Sequence, residues 1–178
     1  MAADTFTIPE YNEPALYHRG TISPIVRTVL FELANLTGAA GSAADPLETN
    51  DLIKLMKLPP DVEILSARFD CEDLESSTGA LDINLVVTNG TTTKYLFEAL
   101  TTAPRAGGVA TTEDLGSVEG VYSAFDTDSA IGFVTDNDNY YVAIDVDAGA
   151  TAAGSGDAIR VAVTYKAALE SGRAAFRT

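Results

Sequence analysis

Cysteine and histidine occur once each in this sequence, as Cys71 and His18, and tryptophan does not occur at all. One cysteine excludes an intrachain disulfide framework, and one histidine with one cysteine cannot build a Cys/His zinc cluster within a single copy. Basic residues are scarce: eleven Lys and Arg stand against 26 Asp and Glu, a net charge of −15. From Ala106 to Ile159 there are ten acids and no Lys or Arg. Such a stretch repels phosphate backbones, so no direct nucleic-acid partner is expected. The acids are read as a solvated face that keeps the protein soluble. No run approaches the roughly 18 apolar residues of a membrane helix, and the amino-terminal residues lack the apolar core of a secretory leader. Neither membrane attachment nor export by a recognisable signal is expected. The length is sufficient for one domain that buries roughly 70% of its unfolded surface.

What is present is period-two alternation. Leu52–Leu58 and Val62–Cys71 alternate on either side of Pro59-Pro60, whose fixed φ and missing N–H groups turn the chain. Leu65 falls out of phase in the second of these; a bulge at Leu65-Ser66 or a polar exception on the core face both account for it. Leu81–Val87 alternates more cleanly and leads into Asn89-Gly90, read as a type I′ turn, and then TTTKYLFEAL. Further strands are read at Ile25–Leu33, Val121–Phe125, Ala130–Thr135, Tyr140–Val146 and Ile159–Tyr165. A helix over 25–36 is the alternative for the first of them, against the β-branched Val26, Thr28 and Val29. Thr111, three residues before Asp114, can cap one short helical turn. The acidic run DCEDLE after Phe69 is read as charge on an exposed sheet edge.

Strands separated by turn signals, with no long amphipathic helix, make the fold class mainly β: an antiparallel two-layer sandwich, jelly-roll-like, with an extended amino-terminal arm. The organisation read from composition is an arm over 1–24, a β-sandwich domain over 25–166 and a tail over 167–178. The arm holds Pro9, Pro14 and Pro24 and isolated aromatic residues. Phe6, Tyr11, Tyr17 and Arg19 in it, with Phe176 and Arg177 in the tail, are the candidate partner-contact residues. Packing on their own subunit is the other reading of the same side chains.

Chemistry finds little support. His18 sits in the proline-rich arm away from any recognisable nucleophile, and Cys71 is in phase with Phe69 as a buried small hydrophobe whose acidic neighbours raise its pKa. The Asp-x-Asp pairs at 126/128, 136/138 and 145/147 invite a calcium reading, but DNDNYYVAIDVD has Tyr141 where an EF-hand loop needs glycine and runs into a strand. No metal, cofactor or catalytic residue is assigned, and the protein is read as not an enzyme. Tyr140-Tyr141 beside acidic loops motivates an alternative, a carbohydrate- or receptor-binding jelly roll.

The succession LIKLMKLPPDVEILSARFDCEDLESSTGALDINLVV resembles the decoration, or cement, proteins of tailed-bacteriophage heads. The resemblance lies over about residues 50–88, with 121–166 similar only in strand texture. Asp73-Leu74-Glu75 stands where such sequences tend to have Asp-Leu-Asp, and Pro59-Pro60 where Pro-Gly is more usual. The resemblance implies a β-rich virion protein on the outer capsid surface, fastened to the major capsid protein, often as a homotrimer.

Overall fold

The computed structural model describes residues 5–13, 23–33, 36–38, 47–75, 80–101, 104, 107–111, 128–136, 139–150 and 156–168. Ten strands appear among them: β1 (Thr5–Thr7), β2 (Ile25–Glu32), β3 (Thr37–Gly38), β4 (Leu52–Lys57), β5 (Val62–Cys71), β6 (Asp82–Thr88), β7 (Thr93–Leu100), β8 (Gly108–Thr111), β9 (Tyr141–Ala148) and β10 (Ala158–Ala167). They form a six-stranded sheet in the order β3-β1-β4-β9-β6-β7 and a four-stranded sheet in the order β2-β10-β5-β8.

Setting aside the short β1 and β3, the eight remaining strands pair from the outside inward. β2 pairs with β10, β4 with β9, β5 with β8, and β6 with β7, each antiparallel. One long antiparallel ribbon, folded at the Asn89-Gly90 hairpin and rolled so that successive pairs fall in alternate sheets, is a jelly roll. The expected fold class is therefore the observed one, and the 25–36 segment is strand, not helix.

The core lies between the sheets. Val29 and Phe31, Ile64, Ala67 and Phe69, and Ile159, Val161, Val163 and Tyr165 face it from one side. Ile53, Leu55, Ile83, Leu85, Phe97, Val142, Ile144 and Val146 face it from the other. Alternation in β10 is regular, with Ile159, Val161, Val163 and Tyr165 all buried. In β5 the register against β10 shifts between Thr164, opposite Ser66, and Tyr165, opposite Ile64. Leu65 is the extra residue, so the out-of-phase leucine is a bulge that returns Ala67, Phe69 and Cys71 to the core.

Pro59-Pro60 carries the chain from the six-stranded to the four-stranded sheet. Asp61 takes φ +56 at this corner. The buried Thr135 hydroxyl donates to the Pro59 carbonyl at 2.8 Å and accepts from the Val62 N–H at 3.1 Å.

Several local expectations change. The Asn89-Gly90 hairpin forms, but Asn89 does not adopt the positive φ of a type I′ turn. Its carboxamide oxygen instead accepts the N–H groups of Thr91 and Thr92 at 2.9 and 2.8 Å, closing a four-residue loop. Ala130–Thr135 is not a strand. Ser129 Oγ accepts the Ile131 N–H and Gly132 turns at φ +79, leaving only single bridges from Ser129 to Tyr95 and from Val134 to Glu63. The segment links the start of β7 to the start of β5. β5 is central in its sheet, so DCEDLE does not guard an edge. Glu72 Oε2 instead accepts from the N–H groups of Asp157 and Ala158, and the fully buried Glu75 accepts from Leu81. β8, in the turn-rich 101–120 stretch, is a strand that alternation did not reveal. The segment Val121–Phe125, the cap partner Asp114 and most of the 167–178 tail lie outside the described residues.

Candidate interaction surfaces

Residues 5–13 of the arm lie on the domain. β1 pairs parallel with β4, Ile8 is buried in the core, and a 3-10 turn at Pro9–Asn12 follows. Phe6 is partly buried against the core. Tyr11 crosses the outer face of the six-stranded sheet and meets Tyr141 edge to face, ring centroids 6.0 Å apart. Lys54 Nζ sits 5.0 Å from the Tyr141 ring and Lys57 Nζ 5.0 Å from the Tyr11 ring. Such cation–π contacts are worth about 0.5–1 kcal/mol each at exposed sites. A groove of about 230 Å³ opens beside them, lined by Tyr11, Glu13, Lys57, Asn139 and Tyr140 among others.

Arg27 fixes this arrangement. It occupies an inward position of β2, only 6% exposed. Its guanidinium donates to the carbonyls of Lys57 at 3.1 Å and Glu10 at 3.0 Å and lies 3.8 Å from the Glu13 carboxylate. A buried cation is tolerable only where its donors are used, and here two backbone acceptors and one carboxylate use them.

The same outer face is acidic farther along. Glu98, Asp145, Asp128 and Asp147 surround Tyr95, whose pKa is raised by burial and by those charges. Asp145 is itself raised, first by burial and then by Asp147, while the Asn84 hydrogen bond opposes the shift.

The four-stranded sheet has a different exterior. Leu30, Arg160, Asp70 and Val109 form one row across β2, β10, β5 and β8. Leu30 is 63% exposed, Val26 61% and Val109 48%. Val134, also exposed, bridges to Glu63 of β5, so every exposed large apolar residue among the described ones belongs to this side. Between the apolar edges, Asp70 pairs with Arg160 and Arg68, and Lys166 pairs with Glu63 at 3.1 Å. With Glu32 counted, three cations meet three anions on this face of a chain whose total is −15.

No described feature amounts to a catalytic centre. Cys71 is buried and its thiol pKa is pushed up to about 12 by burial, with Asp70 and Asp73 adding to the shift and a Gly108 hydrogen bond opposing it. Among the described residues no group of three or more His, Cys, Asp or Glu could hold a metal ion, and no helix is long and apolar enough to cross a membrane. Tyr140 and Tyr141 are 3% and 9% exposed and point to opposite faces, Tyr140 packing on Phe133 and Tyr141 under Tyr11. They are not the open aromatic platform that motivated a carbohydrate-binding reading. Of the six contact residues named from sequence, Phe6 and Tyr11 pack on their own subunit. Tyr17, Arg19, Phe176 and Arg177, like His18, lie outside the described residues.

The outward Val26 and Leu30 were not identifiable beforehand. IVRTVLFE is apolar in both phases, and Arg27 in the inward phase disguises which one faces the core.

No family model and no curated protein matches the sequence. Two solved structures match its fold. A chain of the capsid of Ralstonia phage GP4 is similar with a TM-score of 0.58 and 17% identity, over 90% of this chain and 94% of that one. A chain of the cyanophage Pam1 capsid asymmetric unit is similar with a TM-score of 0.53 and 20% identity, over 89% and 99%. The protein thus has the fold of chains found in two phage capsids.

Proposed function

We propose that the chain is a capsid decoration, or cement, protein: a non-enzymatic virion component that binds the outer surface of the major capsid protein shell and stabilises it. The observation that carries this reading is the end-to-end match to capsid chains of nearly its own length. The likeness is to a whole small chain, not to one domain of a large one. The resemblance at residues 50–88 points the same way.

The physical design supports the reading. A rigid sandwich with one near-neutral, apolar-edged face and one strongly charged face distinguishes a side that tolerates contact from a side that prefers water. Contacts near micromolar, about −8 kcal/mol each, suffice when several act on one rigid body, and a homotrimer multiplies them further. Tyr17, Arg19, Phe176 and Arg177 are the proposed shell contacts.

Cosedimentation of the purified chain with undecorated shells of its own particle tests this. Saturable binding that raises the temperature of shell disruption is expected, and shells that neither retain the chain nor gain stability would refute it. Light scattering reports the trimer separately.

A further inference from the structure

Among the described residues the two sheets have four lateral edges, and three are blunted. β3 has two residues and β8 four. β7 carries two register irregularities and a positive φ at Ala99, and the backbone of Tyr95 on its outer side bonds to Asp128 and Ala130. The fourth edge, β2, is eight residues long, keeps a regular register with β10 throughout, and is paired on one side only among the described residues. Proteins usually guard such an edge with bulges, charge, proline or a covering element, because its unpaired N–H and C=O groups template another strand.

The direction of those groups can be read. Leu33 donates to the Asp157 carbonyl directly opposite it, so the odd-numbered residues of β2 are the ones bonded to β10. Val26, Thr28 and Leu30 therefore turn their backbone N–H and C=O outward, and these same residues carry the exposed side chains.

We infer that the β2 edge pairs with the β2 edge of a second copy, antiparallel about a two-fold axis at Thr28. In this register Thr28 faces its own counterpart, and Val26 of each copy faces Leu30 of the other. Both exposed aliphatic residues are thereby covered, and Val26, Thr28 and Leu30 each gain a donor and an acceptor. Glu32 falls opposite the other copy's Pro24, away from its own counterpart, so no like charges meet. Moving the axis to Val29 would set Val26 against Glu32 and lose the apolar match. Arg27 does not interfere, because its side chain points inward to Lys57 and Glu10. The near-neutral exterior of this sheet allows two copies of a −15 chain to approach here. The contact is isologous, so it cannot close a ring of three; on a shell it would join copies from neighbouring trimers. It goes beyond the shell-binding reading and requires no shell.

Cysteine scanning reads the register directly. Residues in a hydrogen-bonded antiparallel pair have Cα atoms about 5.5 Å apart, within disulfide reach. Two copies of residue 26, four residues apart along the strand and one strand apart across it, would be about 14 Å apart, beyond it. Mild oxidation of full-length Thr28→Cys should give a two-chain disulfide species. Val26→Cys and Leu30→Cys should each fail alone and link when mixed, with the buried Cys71 present throughout as a background control. Thr28→Lys, exposed and therefore expected to melt like wild type, should abolish self-association in sedimentation. The inference is overturned if Thr28→Cys links no faster than Val26→Cys, if the mixture stays unlinked, or if Thr28→Lys leaves association intact. Linkage of Thr28→Cys to a different particle protein alone would assign the edge to that protein and equally overturn it.

Discussion

Thr135 Oγ1 lies 2.8 Å from the Pro59 carbonyl and 3.1 Å from the Val62 N–H, so one buried hydroxyl serves both sides of the corner where the chain changes sheets. Proline cannot donate, and a corner between sheets has no ladder to join; a side chain 76 positions away supplies the missing partner. Thr135→Val keeps the shape and leaves both groups unsatisfied. A loss of about 2–3 kcal/mol is expected in urea unfolding, and Thr135→Ser should recover most of it.

Arg27→Met tests whether the arm is held by the guanidinium. It removes the donors to Glu10 and Lys57, and residues 5–13 should gain amide exchange well beyond the rest of the six-stranded sheet. Arg27→Lys should restore protection only in part, since an ammonium does not reproduce the planar fork. Equal exchange in all three proteins would show that β1 and Ile8 alone hold the arm.

Asp145 gives a pH dependence of definite sign. Burial raises its pKa, so the folded chain keeps this proton to a higher pH than the unfolded chain. Its contribution is fully present below the ordinary carboxylate value and is lost as pH rises through the raised one. Asp145→Asn should therefore stabilise the protein at neutral pH, by less than about 1 kcal/mol after solvent screening. The gain should vanish in acid, where both forms are neutral. Urea midpoints measured across pH report it.

Gly156 sits against Glu72, and a Cβ added there would meet Glu72 Cβ and Oε2. Gly156→Ala should displace the carboxylate from the N–H groups of Asp157 and Ala158. Frayed amide protection at the start of β10 is expected, with a loss of about 1–2 kcal/mol. Protection equal to wild type would mean that the loop moves and the carboxylate stays.

Strands with one clean apolar phase were readable from sequence. β10 and β6 were found because Ile159, Val161, Val163 and Tyr165, or Leu81, Ile83, Leu85 and Val87, leave one period possible. Even the Leu65 bulge left a trace, as an apolar residue one step out of phase. β8 left none, because Gly108–Thr111 is short and depends on β5 for its pairing. Ala130–Thr135 misled for the opposite reason: its apolar residues sit in a turn, Ala130 buried, Ile131 and Phe133 partly buried and Val134 exposed, and Ser129 and Gly132 set its backbone. The acids of DCEDLE misled because a carboxylate that accepts a distant N–H has the same sequence as one that faces water.

The sequence by itself determined the class of fold, because alternation and prolines are local facts that no packing can change. Tertiary structure decided which sheet each strand entered, which face of β2 looked outward, and where the arm was fastened. Those outcomes depend on hydrogen bonds and contacts between residues far apart in the chain, such as Arg27 with Lys57 and Thr135 with Pro59, and a periodic pattern carries no record of its partner.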